Sequence, residues 1–187
     1  MIFSTLNQVV GGVKGGVVGA FTGVGDVSSA IVGVVKDTAV TTIKGTSEFT
    51  TKGLEVAASI VSGAFAGLGE VGKATVGAVR GVVTGAVAGF IEAGGSQEDA
   101  VRGAVSQSIH DAKNLGLNVA DTAVESVTGA VDAVRQAGGD TVKGTRDAIV
   151  AALDAAGDIG GGAVEAVTFS LQSGVEGAKE VIEEIKK

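Results

Sequence analysis

The sequence predicts an all-α protein built around a very long helix, and three observations support this prediction. The chain of 187 residues contains no proline, which favours long helices because an interior proline costs about 3 kcal/mol. Apolar residues recur every eleven positions from Val10 to Val175 without an insertion or deletion, and charged residues follow the same period. Eleven residues in three turns give about 3.67 residues per turn, close to the relaxed α-helix.

The apolar side of this pattern is defined by two positions, labelled a and d. Position d lies three residues after a and is apolar apart from two threonines. Fifteen of the seventeen residues at position a are apolar: Val10, Phe21, Val32, Ile43, Leu54, Phe65, Val76, Val87, Glu98, Ile109, Ala120, Val131, Val142, Leu153, Val164, Val175 and Lys186.

Charged residues occupy three further positions of the repeat. The position after d, labelled e, holds eight of the fourteen basic residues, while sixteen of the twenty-one acidic residues fall at f, the position after e, or at b, the position after a. On a helix, b and f face away from the apolar side and e lies at its edge. An acid at b precedes a base at e by three residues, which predicts ion pairs within one helix such as Asp99–Arg102, Asp132–Arg135 and Glu176–Lys179.

The alternative to one helix is a two-arm helical hairpin that breaks near Gly94–Gly95. Two glycines can end a helix, and Ser96 followed by Asp99 resembles a helix N-cap. A second pattern bears on this choice, because large residues and glycine alternate from one repeat to the next at position h: Val61, Gly72, Val83, Gly94, Val105, Gly116, Val127, Gly138, Ile149, Gly160 and Leu171. We interpret this alternation as packing of large residues over glycines of a second helix; alternatively, it records only the duplication of a unit made of two repeats.

The two halves of the chain differ on their outer face. Residues 1–95 form an apolar, glycine-rich segment with net charge zero, and residues 96–187 form an acidic amphipathic segment with net charge −7. In the first segment, glycines at every fourth position occupy the side that is polar elsewhere: Gly77, Gly81, Gly85 and Gly89, and six repeats earlier Gly11, Gly15, Gly19 and Gly23. A helix without a polar side is enclosed by a membrane or by protein, and these glycines are the predicted interface.

Several functions are disfavoured by the composition. The chain lacks the basic surface that nucleic-acid binding requires, and it contains no cysteine. The stretch from Gly67 to Gly72 matches a dinucleotide-binding fingerprint, but it lies inside the helical pattern rather than after a strand. His110 lies at an outward position. We therefore expect no enzyme, cofactor, metal or small-molecule substrate.

The N-terminus shows no cleavable signal peptide, and we expect a membrane or cell-envelope location, with the cytoplasm as the alternative.

The apolar repeat and its flanking charges resemble hendecad coiled coils, in their glycine-rich, membrane-associated form. The resemblance implies a slightly right-handed oligomeric coiled coil or bundle. The stretch TAVESVTGAVDAVRQAGGDTVKGTRDA is similar in texture to late-embryogenesis-abundant proteins, and synucleins and perilipins also carry eleven-residue repeats. The main hypothesis is a structural homo-oligomer that forms a bundle, tube or filament, with its N-terminal half at a membrane. The alternative is a lipid-coating or stress-protective protein that folds on binding.

Overall fold

In a computed structural model, the described part of the chain comprises residues 2–22, 30–44 and 52–187, and its secondary structure is entirely helical. The all-α prediction is confirmed for these ranges. Their nine helices are α1 (Ile2–Phe21), α2 (Ile31–Ile43), α3 (Gly53–Glu70), α4 (Val76–Glu92), α5 (Gln97–Asn114), α6 (Val119–Gln136), α7 (Thr141–Ile159), α8 (Ala163–Gly174) and α9 (Ala178–Ile185).

The prediction of one very long helix is corrected by this series of short helices. The longest of them, α1, has 20 residues. Turns recur once in every two repeats of the sequence, at glycines with positive φ: Gly72, Gly94, Gly116, Gly138 and Gly160. All five belong to the alternating h series, and the first four share one turn geometry. They therefore mark the ends of helices, in agreement with a structural unit made of two repeats.

Each of these four glycines completes the same C-terminal turn. At Gly72, where φ is 72°, the amide donates to the carbonyl oxygen of Gly69, and the next amide, of Lys73, donates to Leu68. This pair of hydrogen bonds is the Schellman arrangement, which needs a left-handed residue and so favours glycine.

Side-chain caps begin helices α5, α6 and α7. The Ser96 hydroxyl accepts a hydrogen bond from the amide of Asp99, at 3.2 Å, so the predicted cap at Ser96 is confirmed. The side chains of Asn118 and Asp140 cap α6 and α7 in the same way. The break near Gly94–Gly95 is therefore present, but it is one of a series rather than the apex of a two-arm hairpin.

The helices stack in two layers, one of odd-numbered and one of even-numbered helices. Within a layer each helix packs on the helix two places earlier, as α3 on α1 and α4 on α2, and helices adjacent in sequence pack across the layers. Gly63 of α3 lies against Val10 of α1, and Gly67 lies against Lys14. Residue numbers rise together along both helices, so helices within a layer are parallel. The packing continues across residue 95, because α4 contacts both α5 and α6.

Helix α4 is the segment that the sequence marks as lacking a polar side. Every residue from Gly81 to Val87 is buried, because α2 packs on one flank of α4, α6 on the other, and α3 and α5 lie in the facing layer. Other helices of the same chain thus enclose this segment. Within the described ranges, no helix has both the length and the apolar character that crossing a membrane requires.

Candidate interaction surface

Rows of glycine allow the parallel helices of each layer to approach closely. A Cβ atom added at Gly63 would lie 2.6 Å from the backbone oxygen of Val10, and one added at Gly85 would lie 2.6 Å from that of Val32. Such distances are shorter than any ordinary carbon–oxygen contact. These positions therefore require glycine, because any side chain would push one backbone away from the other.

The predicted interface residues of α4 take part in this packing. Gly81, Gly85 and Gly89 lie against α2, whereas Gly77 lies in the first turn of α4, where an added Cβ would meet only the hydroxyl of Thr75, at 3.7 Å. The four valines of the h series are fully buried: Val61, Val83, Val105 and Val127.

Helix α1 carries the same row of glycines, but within the described ranges no helix covers it. Gly11, Gly15 and Gly19 are exposed, and no other described segment places an atom within 4 Å of a Cβ built at any of them. Gly19 precedes Gly63 by four repeats and Gly85 by six. It therefore has the register of glycines that receive a neighbouring helix. The predicted interface residue Gly23 lies outside the described residues.

The exposed side of α2 continues this surface. Gly33 has the register of Gly11 and also has open space at its Cβ, and Asp37 and Thr41 are exposed on the same helix. We call the six residues together the open N-terminal face: Gly11, Gly15, Gly19, Gly33, Asp37 and Thr41. It is the side on which a preceding pair of helices would stack.

The opposite end of the stack is covered by the short helix α9. Arg146 of α7 binds Glu184 of α9 at 3.0 Å, while Lys179, Glu180 and Glu183 are exposed. The outer side of α9 is therefore charged, unlike the packed surfaces between helices of one layer. The two ends of the described stack therefore differ, since one is charged and the other is lined with glycine.

A cleft of about 630 Å³ also opens at this C-terminal end, between α6, α7 and the turn from α8 to α9. It forms because α8 has only 12 residues and leaves the end of α6 uncovered. Valine and threonine side chains line much of it. In its wall, Asp132 and Arg135 are already paired at 3.3 Å, so these two side chains are not available as a free acid and base.

Ion pairs connect the parallel helices of each layer. Lys14 binds Glu70, and Lys36 binds Glu92, each at 2.7 Å, and each pair joins a base at position e to an acid at position f two helices later. The Lys36 ammonium donates to Glu92, which lowers the pKa of that carboxyl and raises the pKa of Lys36. The sequence predicted pairs within one helix, of which Asp132–Arg135 is present. The rows of bases at e and acids at f were the sequence signal for the pairs between helices.

A second network of this kind joins α5 to α7. The buried Asp147 accepts from Arg102 at 3.1 Å and from Lys143 at 2.7 Å, and Lys143 also binds Glu98 at 2.7 Å. Hydrogen bonds to Asp147 and Glu98 raise the pKa of Lys143. Every charge in this cluster is matched by an opposite one, so the cluster serves to hold the two helices together.

No group of three or more His, Cys, Asp or Glu side chains in the described part of the chain could hold a metal ion. The Nε2 atom of His110 lies 3.5 Å from the exposed carboxylate of Asp158, which is a surface contact between α5 and α7.

Two stacked layers, in which each described helix packs on the helix two places earlier, define a repeat architecture of the α-solenoid type. Comparison with protein-family models, curated proteins and solved structures found no match for this chain.

Proposed function

We propose that the protein is a non-enzymatic structural protein that self-associates, and that two copies pair through their open N-terminal faces. The observation that carries this proposal is the pair Gly15 and Gly19, which repeats the packing register of Gly81 and Gly85 but is exposed. A surface with the register of an established helix–helix contact is suited to receive a further helix.

The energetics of α1 support a partner at this face. Glycine inside a helix costs roughly 1 kcal/mol relative to alanine, so three exposed glycines cost roughly 3 kcal/mol in the isolated chain. In α3 and α4 that cost is offset by close backbone packing. In α1 no contact among the described residues requires these glycines, and close contact with a second molecule would offset their cost.

The charged C-terminal end favours a closed pair over an open filament. Head-to-tail stacking would place the open N-terminal face against α9, whose outer side carries Lys179, Glu180 and Glu183. Pairing of two identical faces instead buries glycine against glycine and closes the assembly by two-fold symmetry. The proposed product is therefore a dimer, and the acidic half of each copy lies in water.

Sedimentation of alanine variants tests this proposal. Gly15→Ala combined with Gly19→Ala should weaken the dimer, because two methyl groups would hold the helices apart, and should also raise the helicity of the monomer. Gly157→Ala is the matched control, since Gly157 is exposed on α7 and its Cβ would meet nothing within 4 Å. The control should gain helicity and leave association unchanged.

The result that would overturn the proposal is a native protein that sediments as a monomer at all concentrations, or a dimer that the double variant leaves intact. A monomer that binds lipid vesicles through Gly15 and Gly19 would instead favour the lipid-coating hypothesis. Adding vesicles of neutral phosphatidylcholine to the same sedimentation series distinguishes these outcomes.

A further inference from the structure

One pair of parallel helices departs from the glycine packing of the repeat. The position occupied by Gly63 in α3 and Gly85 in α4 is Gln107 in α5, and the position of Gly67 and Gly89 is Asp111. In α7 the same two positions hold alanine. The C-terminal half of α5 therefore brings two polar side chains to a contact that small residues form elsewhere.

A cleft opens between α3 and α5 at this departure. Its volume is about 400 Å³, and Ser62, Phe65 and Gly69 of α3 line it together with Asp111 of α5 and Leu115, the residue that follows α5. Phe65 is almost fully buried, whereas Leu115 is 43% exposed. The cleft thus combines one carboxylate with an apolar wall.

The Asp111 carboxylate is held in place by neutral groups. Ser62 donates to its Oδ2 atom at 3.1 Å, and Gln107 donates to its Oδ1 atom at 3.0 Å. A carboxylate oxygen accepts more than one hydrogen bond, so each oxygen can accept another. Burial raises the pKa of Asp111, and the basic side chain that acts on it is the adjacent His110, which itself lies against Asp158.

Two helix ends add negative potential to the same cleft. Helices α3 and α5 run in parallel and end at Glu70 and Asn114, so the negative ends of both helix dipoles lie beside Asp111. Lys14 already binds Glu70 at 2.7 Å, and Lys113 is exposed in the last turn of α5. A half-buried carboxylate with neutral partners, placed at two negative helix ends, is stabilised by a cation.

We propose that the α3–α5 cleft binds a guanidinium or ammonium group on an apolar stem, with Asp111 as its counter-ion and Phe65 and Leu115 against the stem. The site is independent of the open N-terminal face. The same chemistry occurs in an arginine or lysine side chain of a peptide and in a free alkylamine.

Titration of the full chain with small cations tests the site, with backbone amide chemical shifts as the readout. Butylguanidinium and butylammonium should bind saturably and shift the amides of Ser62, Gly69 and Leu115. Butylurea has nearly the same shape without the charge and should bind roughly tenfold or more weakly. Acetyl-arginine methylamide represents an arginine in a peptide, and agmatine represents a free alkylamine. Whichever of these two compounds binds more tightly shows which source of the cation the cleft prefers.

A matched pair of variants locates the charge. Asp111→Asn keeps the shape and should weaken butylguanidinium binding by roughly tenfold or more. Asp154→Asn removes the same charge from an exposed position of α7 and should leave binding unchanged. Equal binding of butylurea and butylguanidinium to the native chain would overturn the proposal without reference to any variant. Undiminished binding to a folded Asp111→Asn chain would overturn it as well.

Discussion

Two glycines at the same register, six repeats apart, should respond in opposite ways to one added methyl group. Gly85 is buried in α4 and Gly19 is exposed on α1. A Cβ at Gly85 would lie 2.6 Å from the backbone oxygen of Val32 and 2.9 Å from the Cβ of Val35. A Cβ at Gly19 would have no neighbour within 4 Å. Comparing alanine variants at these two positions therefore separates the cost of the packing contact from the helix propensity of alanine.

The expected magnitudes follow from two opposing effects. Alanine gains roughly 1 kcal/mol over glycine in a helix, and forcing a methyl group into a packed contact costs about 1–3 kcal/mol. Because the atom opposite Gly85 belongs to a backbone, it cannot rotate away and the whole of α2 must shift. We therefore expect Gly85→Ala to be about 1 kcal/mol less stable than the native chain and Gly19→Ala about 1 kcal/mol more stable as a monomer.

Urea unfolding followed by far-ultraviolet circular dichroism measures this difference, at protein concentrations low enough to keep the chain monomeric. The two variants should differ by about 2 kcal/mol in the free energy of unfolding, or about 4–8 °C in Tm for a chain of this size. The reasoning is refuted if Gly85→Ala equals or exceeds Gly19→Ala in stability. That result would mean that α2 and α4 do not approach as closely as the structure has them.

Three further changes test separate parts of the fold. Gly116→Ala should cost about 1–2 kcal/mol in unfolding free energy, because φ is 74° there and alanine disfavours the left-handed region. A Cβ at Gly116 would meet nothing within 4 Å, so Gly116→Asn, which tolerates this region better, should cost less. Equal losses in the two variants would point to a steric clash instead. Asp111→Asn should stabilise the chain at neutral pH, because burial raises the pKa of Asp111 in the folded state above its ordinary value of 3.8. In acid unfolding, the stability gained by the variant should shrink as pH falls through the folded pKa and vanish below 3.8. A gain in stability that stays constant across pH would contradict this expectation. The Lys36–Glu92 pair lowers the folded pKa of Glu92 from 4.5, so the stability that the pair contributes is present above pH 4.5 and is lost as pH falls through the folded pKa. Glu92→Gln should remove this dependence of stability on acid and on salt. Salt titrations in which the native and variant chains respond equally would count against the pair.

The eleven-residue period correctly predicted that the chain is helical, but it did not show where the chain turns. An unbroken register favoured one long helix, because loops between helices usually disturb it. From Gly72 to Gly160 the turns lie 22 residues, or two repeats, apart, so each of these turns restores the register that it interrupts. Gly94 is both a break and a member of the periodic series, because its positive φ ends α4.

The glycine rows could be identified from the sequence, but their surroundings could not. Gly81 to Gly89 and Gly15 to Gly19 carry the same pattern, and one row is buried against α2 while the other is open. The difference depends on which helices pack beside each row, and this follows from contacts between distant segments rather than from local sequence. The cleft at Asp111 could not be predicted for a related reason, because Ser62 lies 49 residues away and meets it only through the packing of α3 on α5.

The equivalence of Gly19 and Gly85 has a consequence for how such a chain can change in length. Gly19 lies in the odd-numbered layer and Gly85 in the even-numbered layer, yet both occupy one register, so the two layers are built from the same unit. Inserting or deleting two repeats at a turn such as Gly94 would transfer every later helix to the other layer and leave its register unchanged. The unit of growth is therefore a single helix, in contrast to repeat proteins that lengthen by helical pairs.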